Sequence, residues 1–219
     1  MSMTMRNTVR TLAALGLLAV AAVASAQNAP IGPGYELIDP PQPTAAPAGQ
    51  VEVIEVFNHA CMACYDFQPK VEAWLKRKPA NAAFTYVAAP LGGHFDVFAR
   101  AYYAAEALGV AAKNHQAVFD AVFGGPKPKN NLTLEELADV YAGFGVDKEQ
   151  FLAAANSFAV NTRMKKTAQQ LVRLGATSTP TIVVAGKYRL NGVTAGGYEN
   201  MLKLVDQLVA QESAAVATQ

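Results

Sequence analysis

The chain is sparing with the residues that make metal centres and with charge of either sign. It has 219 residues but only two cysteines, three histidines and one tryptophan. A metal site built on the cysteines would need two further ligands, and the histidines on offer are His59, His94 and His115. Eighteen Lys and Arg against seventeen Asp and Glu leave a net charge of +1, and no basic face with interleaved aromatics stands out. A nucleic-acid partner is therefore not expected. Internal repeats are missing too. Long apolar runs are missing after the first 26 residues, so the mature chain reads as soluble. Hydrophobic residues still make up 52% of the chain, enough for a sizeable core.

The one long apolar run is N-terminal. Arg6 and Arg10 precede an apolar stretch from Leu12 to Val23, and Ala24-Ser25-Ala26 is an Ala-x-Ala cleavage site. That is the pattern of a secretory signal peptide over residues 1–26. The run is shorter than the ~20 residues a membrane-spanning helix needs. No cysteine follows the cleavage site, which speaks against a lipid anchor. Export carries the chain to a compartment where disulfides persist.

Residues 27–50 are rich in Pro, Ala and Gly and read as an extended lead-in, with Tyr35–Ile38 as a candidate edge strand. Val51–Phe57 is the first confident strand. Alternation puts Val51, Val53, Glu55 and Phe57 on one face and Ile54 and Val56 on the other. Both faces are apolar, so the strand is central. A helix from Cys61 to about Lys76 follows, carrying Pro69 inside it, then a strand at 83–88, predicting a βαβ crossover. Residues 94–174 read as a run of helices. Stops fall at Gly109 and Gly124-Gly125-Pro126. Thr133 to Glu136 forms a capping box, Asp147 opens a further helix, and a last one covers 162–174. A hairpin at 181–190 turns at Gly186-Lys187. An amphipathic helix at 197–211 ends the fold, with a frayed tail from Glu212. The expected organisation is an α/β sheet domain in two parts, 51–92 and 175–211. Residues 93–174 form an all-helical insertion, and 212–219 a flexible tail.

Cys61 and Cys64 are the chemical centre. Spacing three at a helix start lets the two thiols close a small disulfide. Backbone N–H groups and the helix dipole there favour a thiolate at the first position. A free thiol has a pKa near ~8.5; lowering it stabilises the dithiol and makes the disulfide oxidising. Cys61, the exposed member, is then the attacking nucleophile and Cys64 the resolving thiol. An inert structural disulfide, a metal site and two unconnected core thiols are the competing readings.

Three neighbours stay open on local sequence. Pro180, after Thr179, is either an ordinary trans proline in a turn or a cis proline presenting backbone to a peptide. Glu55 is either a buried acid able to take a proton beneath the cysteines or a solvated strand end. His59 is either a protonated partner of Cys61 or a plain loop histidine. His94 and His115 read as surface or satisfied helix residues.

Glu55-Val56-Phe57, Cys61-Met62-Ala63-Cys64-Tyr65-Asp66-Phe67, Thr179-Pro180-Thr181-Ile182-Val183-Val184 and Gly186-Lys187-Tyr188 together resemble the DsbA family. The resemblance spans nearly all of the mature chain. It implies a thioredoxin-like fold with an inserted all-helical domain. It implies a periplasmic thiol:disulfide oxidoreductase that gives its disulfide to newly secreted chains. No cofactor is implied beyond the Cys61–Cys64 disulfide. The implied partners are unfolded secreted polypeptides with free cysteines and a quinone-linked membrane protein of the DsbB type, with the enzyme itself a monomer. Cys61 matches the family nucleophile, Cys64 the resolving cysteine, Pro180 the cis-proline, Thr179 the variable residue before it, and Glu55 the buried acid. Pro69 resembles the helix-kinking proline of thioredoxin.

Met62-Ala63 departs from the Pro-His pair that the family often carries. Neither residue can carry positive charge or match the hydrogen bond of a histidine, so the expected Cys61 pKa is below that of a free thiol but above that of strongly oxidising members. A disulfide isomerase or reductase is the alternative within the same chemistry. A non-catalytic metal- or peptide-binding module is the alternative outside it.

Overall fold

The computed structural model describes residues 34–217. The expected signal peptide, residues 1–26, and the first part of the lead-in lie outside them. Among the described residues, five strands form one sheet in the order β1-β5-β4-β2-β3. These are β1 (Glu36–Leu37), β2 (Val51–Phe57), β3 (Ala82–Ala88), β4 (Thr181–Val184) and β5 (Tyr188–Asn191). Strand β2 runs parallel to β3 and antiparallel to β4. The hairpin β4–β5 is antiparallel, and β1 pairs with β5 at the edge.

The alternation in β2 is realised as two cores. Val51 and Val53 join Phe67, Val71 and Trp74 of α1 (Met62–Leu75) and Val205 and Leu208 of α7 (Tyr198–Ala217). Ile54 and Val56 join Val183 and the C-terminal end of α6 (Phe158–Leu174) through Leu171 and Leu174. Helices therefore cover both faces, as two-sided apolar patterning requires. Trp74 Nε1 donates to Asp206 Oδ1 at 2.7 Å and fastens α1 to α7.

Between β3 and β4 the chain forms α2 (His94–Ala107), α3 (Ala111–Phe123), α4 (Leu134–Gly143), α5 (Lys148–Ala155) and α6. Their shared core includes Phe98, Phe119, Leu137, Tyr141 and Phe151, and reaches the sheet at Phe57 and Ala88 and the thiol site at Ala60 and Cys64. Thr133 accepts from the Glu136 backbone N–H, and the Glu136 side chain accepts from the Thr133 backbone N–H. That is the capping box expected at this point.

Two boundaries differ from expectation. Helix α6 begins at Phe158, four residues before Thr162, because Ser157 Oγ caps it by accepting the Val160 N–H at 3.2 Å. Helix α7 continues through residue 217, so residues 212–217 are not a frayed tail. Glu212 is buried, accepting from Lys187 Nζ at 2.5 Å and Tyr188 Oη at 2.9 Å. A paired carboxylate under the hairpin holds the last turns that an Ala/Ser-rich composition would release.

At the hairpin turn, Gly186 has φ 63°, and a Cβ there would meet the Gln42 carbonyl oxygen at 2.1 Å. The lead-in packs against this bare position, with Gln42 N donating to Gly186 O.

Candidate active site

Strand β2 delivers the chain to a turn, Asn58–Cys61, that is anchored by side chains. Asn58 Nδ2 donates to the Ala89 and Phe95 carbonyls, each at 2.9 Å, and Asn58 Oδ1 accepts the Ala60 N–H. Cys61 N donates to Asn58 O at 3.0 Å. Cys61 is the N-cap of α1 in extended geometry, and its sulfur accepts the Cys64 N–H at 3.3 Å. Both cysteines are free thiols here. Cys64 is fully enclosed, whereas Cys61 retains 8% exposure beside the half-open Met62.

Facing the sulfur is the loop before β4. The Thr179–Pro180 bond is cis, and the Thr179 carbonyl lies 3.5 Å from Cys61 Sγ. A groove of about 560 Å³ opens here between Ala63, Thr179, Pro180, Gly192, Val193 and Tyr198.

The electrostatics separate the two thiols. The Cys61 pKa is brought down to about 6, first by the Cys64 thiol hydrogen-bonding to its sulfur. The Thr179 side chain and the backbone N–H groups of Cys64 and Ala63 add to this, against an opposing desolvation. The Cys64 pKa is pushed well up, by burial first and then by the hydrogen bond and charge of Cys61 and the charge of Glu55. At neutral pH Cys61 is the thiolate and Cys64 the thiol.

Glu55 is buried on β2, and its Oε2 has no hydrogen-bond partner. Burial, with the charge of Cys61 behind it, raises its pKa to about 8. A carboxyl so placed holds its proton at neutral pH.

His59 corrects one reading. It lies buried in the turn before Cys61 and is not a protonated partner, because burial followed by the neighbouring His115 drives its pKa well down. It is neutral and supplies no positive charge to Cys61. Its Nε2 instead meets His115 Nδ1 at 3.2 Å. His94 is exposed. Sequence reasoning did not pick out Asn58, Gln68 or Tyr86 as site residues. A polar residue such as Asn58 directly after a buried strand was the available signal for an anchored turn.

The chain as a whole has counterparts among known proteins. Residues 52–209 match the family described as the DSBA-like thioredoxin domain. The chain belongs to that family. It is 39% identical over 213 residues to the thiol:disulfide interchange protein DsbA of Pseudomonas aeruginosa, covering 96% of this chain and 99% of that protein. The protein of the same name from Burkholderia cepacia is 38% identical, with 91% and 93% covered. The crystal structure of the Pseudomonas aeruginosa protein superposes with TM-score 0.78 at 39% identity, over 86% of this chain and 96% of that one. The oxidoreductase DsbA of Xylella fastidiosa does so with TM-score 0.76, also at 39% identity, over 83% and 96%. Fold and function follow together: a thioredoxin-like DSBA fold carrying a thiol:disulfide oxidoreductase.

Proposed function

We propose that this DSBA-like enzyme oxidises cysteine pairs of newly exported polypeptides in the periplasm, with Cys61 as the exchanging sulfur. In the oxidised enzyme, a substrate thiolate attacks Cys61 Sγ. The Cys61–Cys64 bond breaks, its electron pair leaves on Cys64, and a mixed disulfide forms. The protonated Glu55 beneath the pair supplies the proton that the buried Cys64 sulfur takes up. A second substrate thiolate then attacks the substrate sulfur of the mixed disulfide and expels Cys61 as thiolate. The substrate has lost two electrons and the enzyme dithiol holds them.

The observation that carries this reading is the opposed tuning of the two thiols. A Cys61 pKa near 6 makes a good leaving group and stabilises the dithiol, so the disulfide is oxidising. Extended substrate backbone fits alongside Thr179 and Pro180, in the groove that opens beside Cys61. The periplasmic assignment rests on the signal-peptide pattern of residues 1–26. Reoxidation falls to a quinone-linked membrane partner of the DsbB type, to which the dithiol passes its electrons.

The deciding experiment is the equilibrium of the Cys61–Cys64 disulfide with a glutathione redox buffer, together with Cys61→Ser and Cys64→Ser variants. A potential well above about −270 mV, the thioredoxin value, supports the oxidase. A potential at or below it, given Met62-Ala63 between the cysteines, moves the assignment to a reductase or isomerase.

A further inference from the structure

Two buried histidines take no part in that exchange, yet they meet directly behind it. His59 stands two residues before Cys61, and His115 comes from α3 in the helical block. From their 3.2 Å contact the chain of polar groups continues. His115 Nε2 lies 3.2 Å from Gln68 Oε1 on α1, and Gln68 Nε2 donates to Tyr86 Oη on β3 at 3.1 Å.

Tyr86 Oη lies 3.1 Å from Gln68 Nε2 and 3.4 Å from Gln68 Oε1, and with the amide so oriented one tautomer pair satisfies the whole chain. With the Gln68 amide nitrogen on Tyr86, Gln68 Oε1 is the acceptor, so His115 carries its hydrogen on Nε2. His115 Nδ1 is then bare and accepts the Nε2–H of His59. Both rings stay uncharged in their surroundings. The ring neighbours are Phe57 from β2, Tyr86 from β3, Tyr102 from α2 and Phe119 from α3, at centroid distances of 4.1–6.3 Å. None of these carries charge at neutral pH.

The turn ahead of Cys61 is thus moored on two sides. Asn58 ties it to Ala89 and Phe95, and His59 ties it to α3. The Cys61 sulfur accepts the Cys64 N–H at 3.3 Å, and as a thiol it donates to the Thr179 carbonyl at 3.5 Å, so its place between α1 and the Thr179 loop depends on where the turn sets it. A few tenths of an ångström of drift in the turn weakens both contacts.

We propose that His115 is a positioning residue for disulfide exchange: by accepting the His59 Nε2–H it holds the Asn58–Cys61 turn so that the Cys61 sulfur stays over the first N–H groups of α1 and beside Thr179. It acts through geometry and not through charge. The role rests on Cys61 being the exchanging sulfur.

The test compares the full protein with His115→Leu and His115→Gln. Glutamine keeps a side-chain acceptor and donor at this position. The readouts are the pH profile of iodoacetamide alkylation, with the modified cysteine mapped by mass spectrometry, and the glutathione equilibrium. Leucine is expected to raise the Cys61 thiol pKa by about one unit and to weaken the disulfide as an oxidant about tenfold. Glutamine is expected to recover most of both. A folded leucine variant with the parent profile and equilibrium overturns the inference and leaves the function standing. Alkylation of the parent at Cys64 ahead of Cys61 overturns the nucleophile assignment and this inference with it.

If the leucine variant does not fold, nitrogen-15 correlations of the parent imidazoles decide. Neutral Nε2–H forms at both histidines, with His115 Nδ1 accepting, support the proposal. A hydrogen on His115 Nδ1, or a charged ring at pH 7, overturns it.

Discussion

The Cys61 sulfur lies 3.5 Å from the carbonyl oxygen of Thr179, a residue 118 positions further along the chain. The helix start supplies the thiol, and the loop into β4 supplies the group opposite it. The Thr179 side chain beside the sulfur lowers its pKa. Thr179→Val keeps the shape and removes the hydroxyl. The Cys61 pKa should rise by roughly 0.5–1 unit, which corresponds to a potential lower by about 15–30 mV. Thiolate absorbance against pH measures it. An unchanged pKa would mean that the backbone N–H groups and Cys64 suffice.

The residues between the cysteines offer a gain instead of a loss. Met62 and Ala63 add no side-chain donor to the thiolate. The double change Met62→Pro and Ala63→His should lower the Cys61 pKa below about 6 and make the disulfide a stronger oxidant. Equal pKa values in the two proteins would show that a histidine at position 63 does not reach the sulfur.

Glu55 gives stability a slope. Its folded pKa of about 8 lies above the ordinary carboxylate value. The folded state keeps this proton while the unfolded chain gives it up. The contribution is full at low pH and is lost as pH rises from about 4.5 to about 8, at up to ~1.4 kcal/mol per pH unit. Urea unfolding of the oxidised protein, where burial alone acts on Glu55, should show this loss over a narrower pH range, and Glu55→Gln should flatten it. A parent slope that survives in the glutamine variant would assign it to another group.

The histidine pair works in the opposite direction. Burial lowers both pKa values, that of His115 to about 3. The unfolded chain takes up protons first as pH falls below about 6.5, so stability is lost from there downward, by up to ~2.7 kcal/mol per pH unit for two rings. Combined with Glu55, stability should peak near pH ~6.5. A His59→Phe, His115→Leu double variant should lose the acid limb. Its persistence in that variant would sink the assignment.

What could be read in the sequence was local. Strand β2 declared itself by alternation, and its two faces do go to different cores. Cys61 and Cys64 declared their helix start by spacing. Thr179-Pro180 became meaningful only through its pairing with the cysteines across the helical insertion. His59 stayed open between two readings because its neutrality depends on His115, 56 residues later on a helix whose packing against α1 no local pattern reveals. The expectation of a frayed tail from Glu212 failed for a like reason. Its partners, Lys187 and Tyr188, sit on the β4–β5 hairpin, and the surrounding Ala and Ser residues point to fraying. The α6 start was legible at Ser157, a good N-cap residue, but the apolar stripe further along outweighed it.

Strand β4 enters the sheet between β5 and β2, and only β2 links it to the half of the sheet built first. A chain ending short of residue 178 would carry both cysteines but neither Thr179-Pro180 nor β4. Such a fragment would lack the far wall of the thiol site, and its cysteines should react more like ordinary thiols.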